Sequence, residues 1–344
     1  MNTITIRKPD DFHVHFREGE LLTAVLPPTA RGFARAIAMP NLKAPRATTA
    51  EHVREYRCEI IGAMKANGIS KADFDPLMTF KITPQTKVET IRLMSGYAVA
   101  GKLYPEGVTT GSEDGVKDFQ ALYPIFKEMG AFAFVLSIHG ELPGAPETEA
   151  EQKFIPVLRK LIRDFPGLRI VVEHVSSKAM VDFLMSKDVP QTVGATITPQ
   201  HLVLTYEDAL ANRHNYCKPV AKTLADRAAV IQAAISGDPR FFFGSDSAPH
   251  PKSKKKAALG QNPAAGVFSG PVALPVLAQV FAAAGQLSRL ENFTSVFGAR
   301  FYRLPPNRGE IQLINKPQTV PEICAGDVVP FLAGQKIAWQ IVVS

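Results

Sequence analysis

The chain has 344 residues, 46% hydrophobic and 21% charged, a balance that suits a globular protein able to bury a large core without covalent staples. No apolar run approaches the roughly 18 residues that span a membrane, and the opening MNTITIRKPDDF lacks the apolar middle of a secretory leader, so a cytoplasmic location without a membrane partner is expected. Three cysteines, Cys58, Cys217 and Cys324, odd in number and far apart, support neither a disulfide framework nor a cysteine metal site. The net charge of +7 is partly local, with Lys252, Lys254, Lys255 and Lys256 in PKSKKKAALG. A run this short, without interleaved aromatics, reads as a solvated loop rather than a nucleic-acid site.

Along the chain, short apolar and often β-branched segments recur, each ending in polar or ionisable residues. TITIRKPDDFHVHFR delivers His13, His15 and Arg17, and ARAIAMPN at 34–41 ends on Asn41. A helical pattern follows over 49–66, with Thr49 as a candidate N-cap. DFDPLMTFKIT (73–83) and YAVAGKLYP (97–105) come next; the second carries Lys102 and leads to Thr109 and Thr110. A helix is expected over 115–130, then AFAFVLSIHGE (131–141) with His139, a helix over 148–164, and LRIVVEHV (168–175) with His174. A helix over 176–187, capped by Ser176, precedes VGATITPQH (193–201), and RFFFGSDSAPH (240–250) closes the series with Asp246 and His250. Beyond about 268 the chain reads helical. Residues from about 305 to 344 read as a C-terminal extension packed on the rest, so 1–344 is expected to form one domain.

Continuous apolar strands alternating with helices predict a parallel sheet covered by helices. Eight of them predict an α/β TIM (β/α)8 barrel. A doubly wound sheet would carry a glycine-rich phosphate turn after its first strand, and none is present.

In a barrel, the strand ends that carry His13, His15, Lys102, His139, His174 and Asp246 converge on one face. His13 and His15 are two apart, so on a strand they point to the same side. Taken singly, each histidine has an ordinary structural reading and Asp246 could merely cap a turn. Four imidazoles, a carboxylate and a lysine on one rim fit a metal centre of the metal-dependent hydrolase type better than six independent accidents. Zinc takes neutral imidazole and carboxylate ligands and keeps a position open when catalytic. Six ligands suffice for two metals if one bridges. A plain lysine lacks the two oxygens this needs, whereas a carbamate on its amine would supply them.

The stretches DFHVHFR, MPNL, GKLYP with GVTT, IHGE, VVEHV, TITPQHL and GSDSAPH, in this order, resemble the class II, bacterial-type dihydroorotases of the amidohydrolase superfamily, and VVPFLAGQKIAW resembles that family's tail. The resemblance spans nearly the whole chain. It implies that His13, His15 and Asp246 hold one Zn2+, that His139 and His174 hold a second, and that carbamylated Lys102 and a hydroxide bridge the two. It implies Asp246 as the catalytic proton carrier, Arg17, Asn41 and His250 as the grip on a substrate carboxylate, and backbone groups of Lys218 (in NYCKP) and Ala265 (in AAGVF) as ring contacts. Thr109 and Thr110 would sit on a loop that closes over the substrate. The implied reaction is the reversible cyclisation of N-carbamoyl-L-aspartate to L-dihydroorotate in pyrimidine biosynthesis, by a homodimer with a small-molecule substrate. Where the family's bacterial members often carry a cysteine-rich stretch after the eighth strand, this chain has KSKKKAALGQNPAAGVF. Other readings are a hydantoinase-like enzyme acting on a different cyclic amide, a non-catalytic barrel serving assembly, and a nucleic-acid binder led by the lysine run.

Overall fold

The computed structural model describes residues 2–43, 47–256 and 262–342. The opening apolar stretch is two strands rather than one: β1 (Thr3–Arg7) and β2 (Asp10–Val14), parted at Pro9, which has no N–H for a ladder. From β2 the chain alternates strand and helix through β3 (Arg35–Ala38), β4 (Asp75–Ile82), β5 (Ala100–Leu103), β6 (Val135–His139), β7 (Arg169–Glu173), β8 (Val193–Ile197) and β9 (Phe241–Phe243). These eight pair in sequence order, every pair parallel. The last edge meets the first just beyond β9. There the Asp246 N–H donates to the His13 carbonyl and the His15 N–H to the Ser247 carbonyl, both at 2.9 Å, and Val14 bridges Ser247. The result is the TIM-like barrel expected from the alternating pattern.

Two apolar layers hold it. The outer one, between sheet and helices, includes Leu26, Phe80 and Leu158. The inner one fills the barrel with Phe12, Ile37, Val171 and Phe242, and is plugged from below by Phe301 and Tyr302. Phe12 stacks on Tyr302 with ring centroids 5.2 Å apart. Gly298 makes that approach possible, since a Cβ there would sit 2.2 Å from the Phe12 ring. Each such buried side chain contributes about 1.5–3 kcal/mol, so the plug is a substantial part of the barrel's stability.

The helices differ from expectation at their ends. Ala50–Ala66 starts as expected, with the Thr49 hydroxyl accepting from the His52 N–H, and Ala150–Asp164 matches its pattern. Lys178–Met185 is capped by Ser177, not Ser176. Ser176 instead joins a buried network, donating to Glu151 and accepting from Lys222 at 2.6 Å. The helix expected from 115 starts only at Gln120 as a 3-10 turn before Tyr123–Ala131; Val116 is drawn instead into a backbone bond to the Tyr104 carbonyl.

The last residues build β10 (Glu310–Ile314), β11 (Gln318–Thr319), β12 (Lys336–Ile337) and β13 (Gln340–Ile341). β10 lies between β1 and β13, antiparallel to both. The lysine run is not wholly solvated. Lys254 and Lys256 are exposed, but Lys255 is only 3% exposed. The following residues 257–261 lie outside the described residues. Among the described residues, no helix is long and apolar enough to cross a membrane.

Candidate active site

The strand ends bring the expected residues to one mouth of the barrel. His13, His15, Arg17, Asn41, Tyr104, His139, His174, Lys218, Asp246 and Ala265 all line a single cavity, with Thr109 and Thr110 over it. Its free volume is about 20 Å³, enough to hold a water.

His13, His15 and Asp246 form the tightest group. The two Nε2 atoms are 3.4 Å apart, and each lies 3.3 Å from Asp246 Oδ1. Donors on a tetrahedral zinc at 2.0–2.1 Å are themselves about 3.3–3.4 Å apart, so these three have the spacing of one face of a coordination sphere. Burial pushes His15 down to about 4, which keeps its imidazole neutral and able to ligate. Burial alone would lift the Asp246 carboxyl, but hydrogen bonds from His13 and His15 outweigh it and hold the group well below the usual range.

His139, His174 and Lys102 stand on the other side. The His139 and His174 rings are 4.6 Å apart and the His13 and His174 rings 5.2 Å. Burial, then the neighbouring His139, keeps His174 neutral. The buried polar atoms here without a hydrogen-bond partner include His174 Nδ1 and Lys102 Nζ, the latter lying over the Tyr104 ring at 5.0 Å. Lys102 is 0% exposed and burial brings it down to about 8. Unpartnered buried polar groups are costly, and a cation with a carbamate on the lysine would satisfy both. The His13, His15 and Asp246 donors therefore fit a metal ion.

Three of the site residues sit in left-handed backbone conformations: Arg17 (φ 66°), His174 (φ 45°) and Asp246 (φ 42°). Such conformations cost of order 1–3 kcal/mol each; the seam hydrogen bond to His13 helps to hold Asp246, and one to the Thr196 hydroxyl helps to hold His174.

Two carboxylates that the sequence reading passed over orient the histidines. Glu173 Oε2 lies 2.8 Å from His13 Nδ1, and Glu173 also accepts from Ser137 and Thr196. Glu141 Oε2 lies 2.7 Å from His139 Nε2. A carboxylate on the far nitrogen fixes the tautomer and raises ligand basicity. The signal was present: each is an acid one or two residues from a strand-end histidine, in VVEHV and IHGE. Tyr104 was also missed. It lies two residues past Lys102 and lines the cavity with its hydroxyl unpartnered.

Of the expected substrate grip, Arg17 Nε donates to the Pro249 carbonyl at 2.9 Å, and Arg17 Nη2 is 3.0 Å from His250 Nε2. Asn41 donates to the Thr110 carbonyl at 2.6 Å. The Lys218 ammonium is paired with Glu147 at 2.6 Å. The Ala265 N–H donates to the Thr110 hydroxyl at 3.3 Å. The loop over the site is held from beneath by Lys81, which donates to the Gly111 carbonyl at 3.1 Å and pairs with Asp114.

A closed parallel barrel with a buried His–His–Asp cluster at the C-terminal ends of its strands defines an amidohydrolase-type hydrolase. No family model matches the chain, but whole-chain comparison is specific. The chain is 42% identical to the dihydroorotase of Coxiella burnetii over 352 aligned positions, covering 99% of this chain and 98% of that one. It superposes on the Saccharomyces cerevisiae dihydroorotase in complex with 5-fluoroorotic acid with a TM-score of 0.91, at 37% identity and 99% coverage of both chains. The chain belongs to the dihydroorotase family. An L-hydantoinase from Arthrobacter aurescens shares the fold alone, with a TM-score of 0.80 at 20% identity over 99% of this chain and 83% of that one.

Proposed function

We propose that this chain catalyses the reversible cyclisation of N-carbamoyl-L-aspartate to L-dihydroorotate, the dihydroorotase step of pyrimidine biosynthesis, with two zinc ions. One would be held by His13, His15 and Asp246 and the other by His139 and His174, with carbamylated Lys102 and a hydroxide between them. The observation that carries this reading is a lysine at 0% exposure with no hydrogen-bond partner, its ammonium over the Tyr104 ring and near His139 and His174, whose imidazoles burial keeps neutral. A bound metal pair supplies Lewis acidity at the scissile carbonyl and a water acidified from 15.7 toward about 7.

The chain's own groups do the rest. Asp246, beside both histidines of the first strand, takes the proton of the attacking water and delivers it to the departing ring nitrogen. Glu173 and Glu141 keep His13 and His139 in the ligating tautomer. Arg17, anchored through Nε, offers its remaining guanidinium edge to the substrate carboxylate, with His250 and Asn41 beside it. The backbone groups of Lys218 and Ala265 meet the ring, and the Thr109–Thr110 loop closes to exclude water. Arg17 and His250 favour a carboxylated ring over an uncharged hydantoin. The family likeness supports a homodimer acting in the cytoplasm on a small-molecule substrate.

The test is dihydroorotate hydrolysis by the parent and by Lys102→Ala, with metal content measured on both. The variant should lose most activity and at least one metal; parent-like turnover in it would refute the bridging role. Faster hydrolysis of uncharged hydantoins than of dihydroorotate by the parent would overturn the substrate.

A further inference from the structure

The lysine run contains a residue that neither the metal centre nor the substrate grip accounts for. Lys255 ends the short helix Lys252–Lys255 and turns its side chain inward. Its Nζ donates to the carbonyls of Tyr216 at 3.0 Å, Ala264 at 3.0 Å and Gly266 at 2.7 Å. A lysine ammonium has three donors and no acceptor, so these three carbonyls saturate it. Among the described residues, no carboxylate pairs with it. A buried cation held only by main-chain carbonyls orders backbone, and here the backbone it orders lines the cavity.

We propose that Lys255 is a positioning residue that presents the main chain of Ala265 to the ureido edge of the substrate ring. This rests on the dihydroorotase reading above. In extended chain, the N–H and C=O of one residue point to one side and those of its two neighbours to the other. Lys255 holds the carbonyls on both sides of Ala265. The N–H and C=O of Ala265 are thereby turned the opposite way, toward the cavity. The structure has them there: the N–H reaches Thr110 Oγ1 of the covering loop, and the carbonyl is 2.9 Å from His250 Nε2.

Two further contacts fix the segment. The Gly266 N–H donates to the same Tyr216 carbonyl at 3.0 Å. At Gly266 (φ 147°) a Cβ would meet the Ala248 carbonyl at 2.4 Å, so this stretch lies hard against the segment that follows Asp246. A neighbouring donor and acceptor on one residue match the neighbouring C=O and N–H of a ureido group. A carboxylate offers no such edge. Lys255 therefore serves recognition of the ring, while Arg17 serves recognition of the acid.

The experiment compares zinc-loaded parent and Lys255→Met, matched for metal content. It reads KM and kcat for dihydroorotate and competitive inhibition by succinate, which carries carboxylates but no ureido edge. Loss of two directed neutral hydrogen bonds weakens binding roughly 5- to 150-fold. The KM for dihydroorotate should rise within that range, with kcat falling less and the succinate inhibition constant rising far less than KM, since Ala265 reaches the carboxylate grip only through His250. Equal weakening toward both ligands would make Lys255 a general prop, and no change toward either would make it irrelevant; both overturn the proposal. If Lys255→Met does not fold, Lys255→Gln, which keeps two donors, carries the same comparison with a smaller KM change. A parent enzyme that, fully loaded, leaves dihydroorotate untouched would defeat the functional reading itself, whereas an active parent with an unaffected variant defeats only the role of Lys255.

Discussion

Replacing Glu173 with glutamine keeps the side chain's size and removes its charge. In the parent, Glu173 Oε2 faces His13 Nδ1 at 2.8 Å and accepts from Thr196 at 2.6 Å, while Oε1 accepts from Ser137 at 2.5 Å. A glutamine oxygen can keep the first two. Its NH2 would meet the Ser137 hydroxyl, which can rotate to accept. The hydrogen-bond count survives, so the barrel should still fold. What changes is the acceptor behind His13, from carboxylate to neutral amide, and charge-assisted hydrogen bonds are roughly twice as strong as neutral ones. Altering the outer partner of a ligating histidine typically costs 10–100-fold in metal affinity or activity, or about 1.4–2.8 kcal/mol. Zinc affinity measured by competition with a chromogenic chelator should fall by that factor in Glu173→Gln, and excess zinc should restore part of the turnover. A variant that binds zinc as tightly as the parent would refute the claim that Glu173 tunes the centre through His13.

Further outcomes follow from other contacts. Lys81→Met removes the support beneath the covering loop, whose charged hydrogen bond to the Gly111 carbonyl contributes about 1.5–3 kcal/mol. Proteolysis within 106–114 should speed up and the KM for dihydroorotate rise by roughly 10- to 150-fold, while zinc content stays level; an unchanged cleavage rate would separate Lys81 from the loop. Chelation should destabilise as well as inactivate, because His13 and His15 meet Asp246 across the seam that closes the barrel. Free metal at 100 times its Kd adds about 2.7 kcal/mol, which for 344 residues shifts Tm by about 4 °C; calorimetry showing identical melting with and without metal would contradict this. Alkylation mapped by mass spectrometry at pH 8.5 should label exposed Cys58 first. Burial pushes Cys217 up to about 12 and Cys324 to about 11. A raised thiol pKa means less thiolate at a given pH, and Cys217 is left with only about 1 in 3,000 reactive. Labelling of Cys217 in the folded protein at a rate comparable to Cys58 would contradict its burial.

The barrel strands were legible because strands covered on both faces leave long β-branched runs, and because each ended in a polar group at a similar place. The gathering of His13, His15, His139, His174, Lys102 and Asp246 followed from that geometry alone. Boundaries set by tertiary contacts were less legible. TITIRKPDDFHVHFR reads as one strand until β10 claims its first half. Ser176 and Ser177 are equally good caps on paper, and the choice fell to Ser177 because Glu151 and Lys222 hold Ser176. Lys255 is chemically like its exposed neighbours, and three carbonyls from distant stretches are what draw it in. Glu141 shows a different gap: an acid beside a ligating histidine is readable once the histidine's outer nitrogen is asked for a partner. Glu173 was less legible, because it serves His13 from across the barrel rather than its neighbour His174.

The sheet joining β1 to β10 gives the chain an unusual order of assembly. From β3 on, each barrel strand finds a partner in the strand made just before it, so that wall can grow as the polypeptide emerges. β1 cannot wait so briefly, for Thr3 pairs with Ile314. At about 5–20 residues per second, the roughly 300 residues between them take about 15–60 s to synthesise. Throughout that interval Ile4 and Ile6 have no sheet to join. Arg7 and Lys8, placed directly after them, are the charges expected to keep such a waiting strand from pairing with a neighbour on the same message.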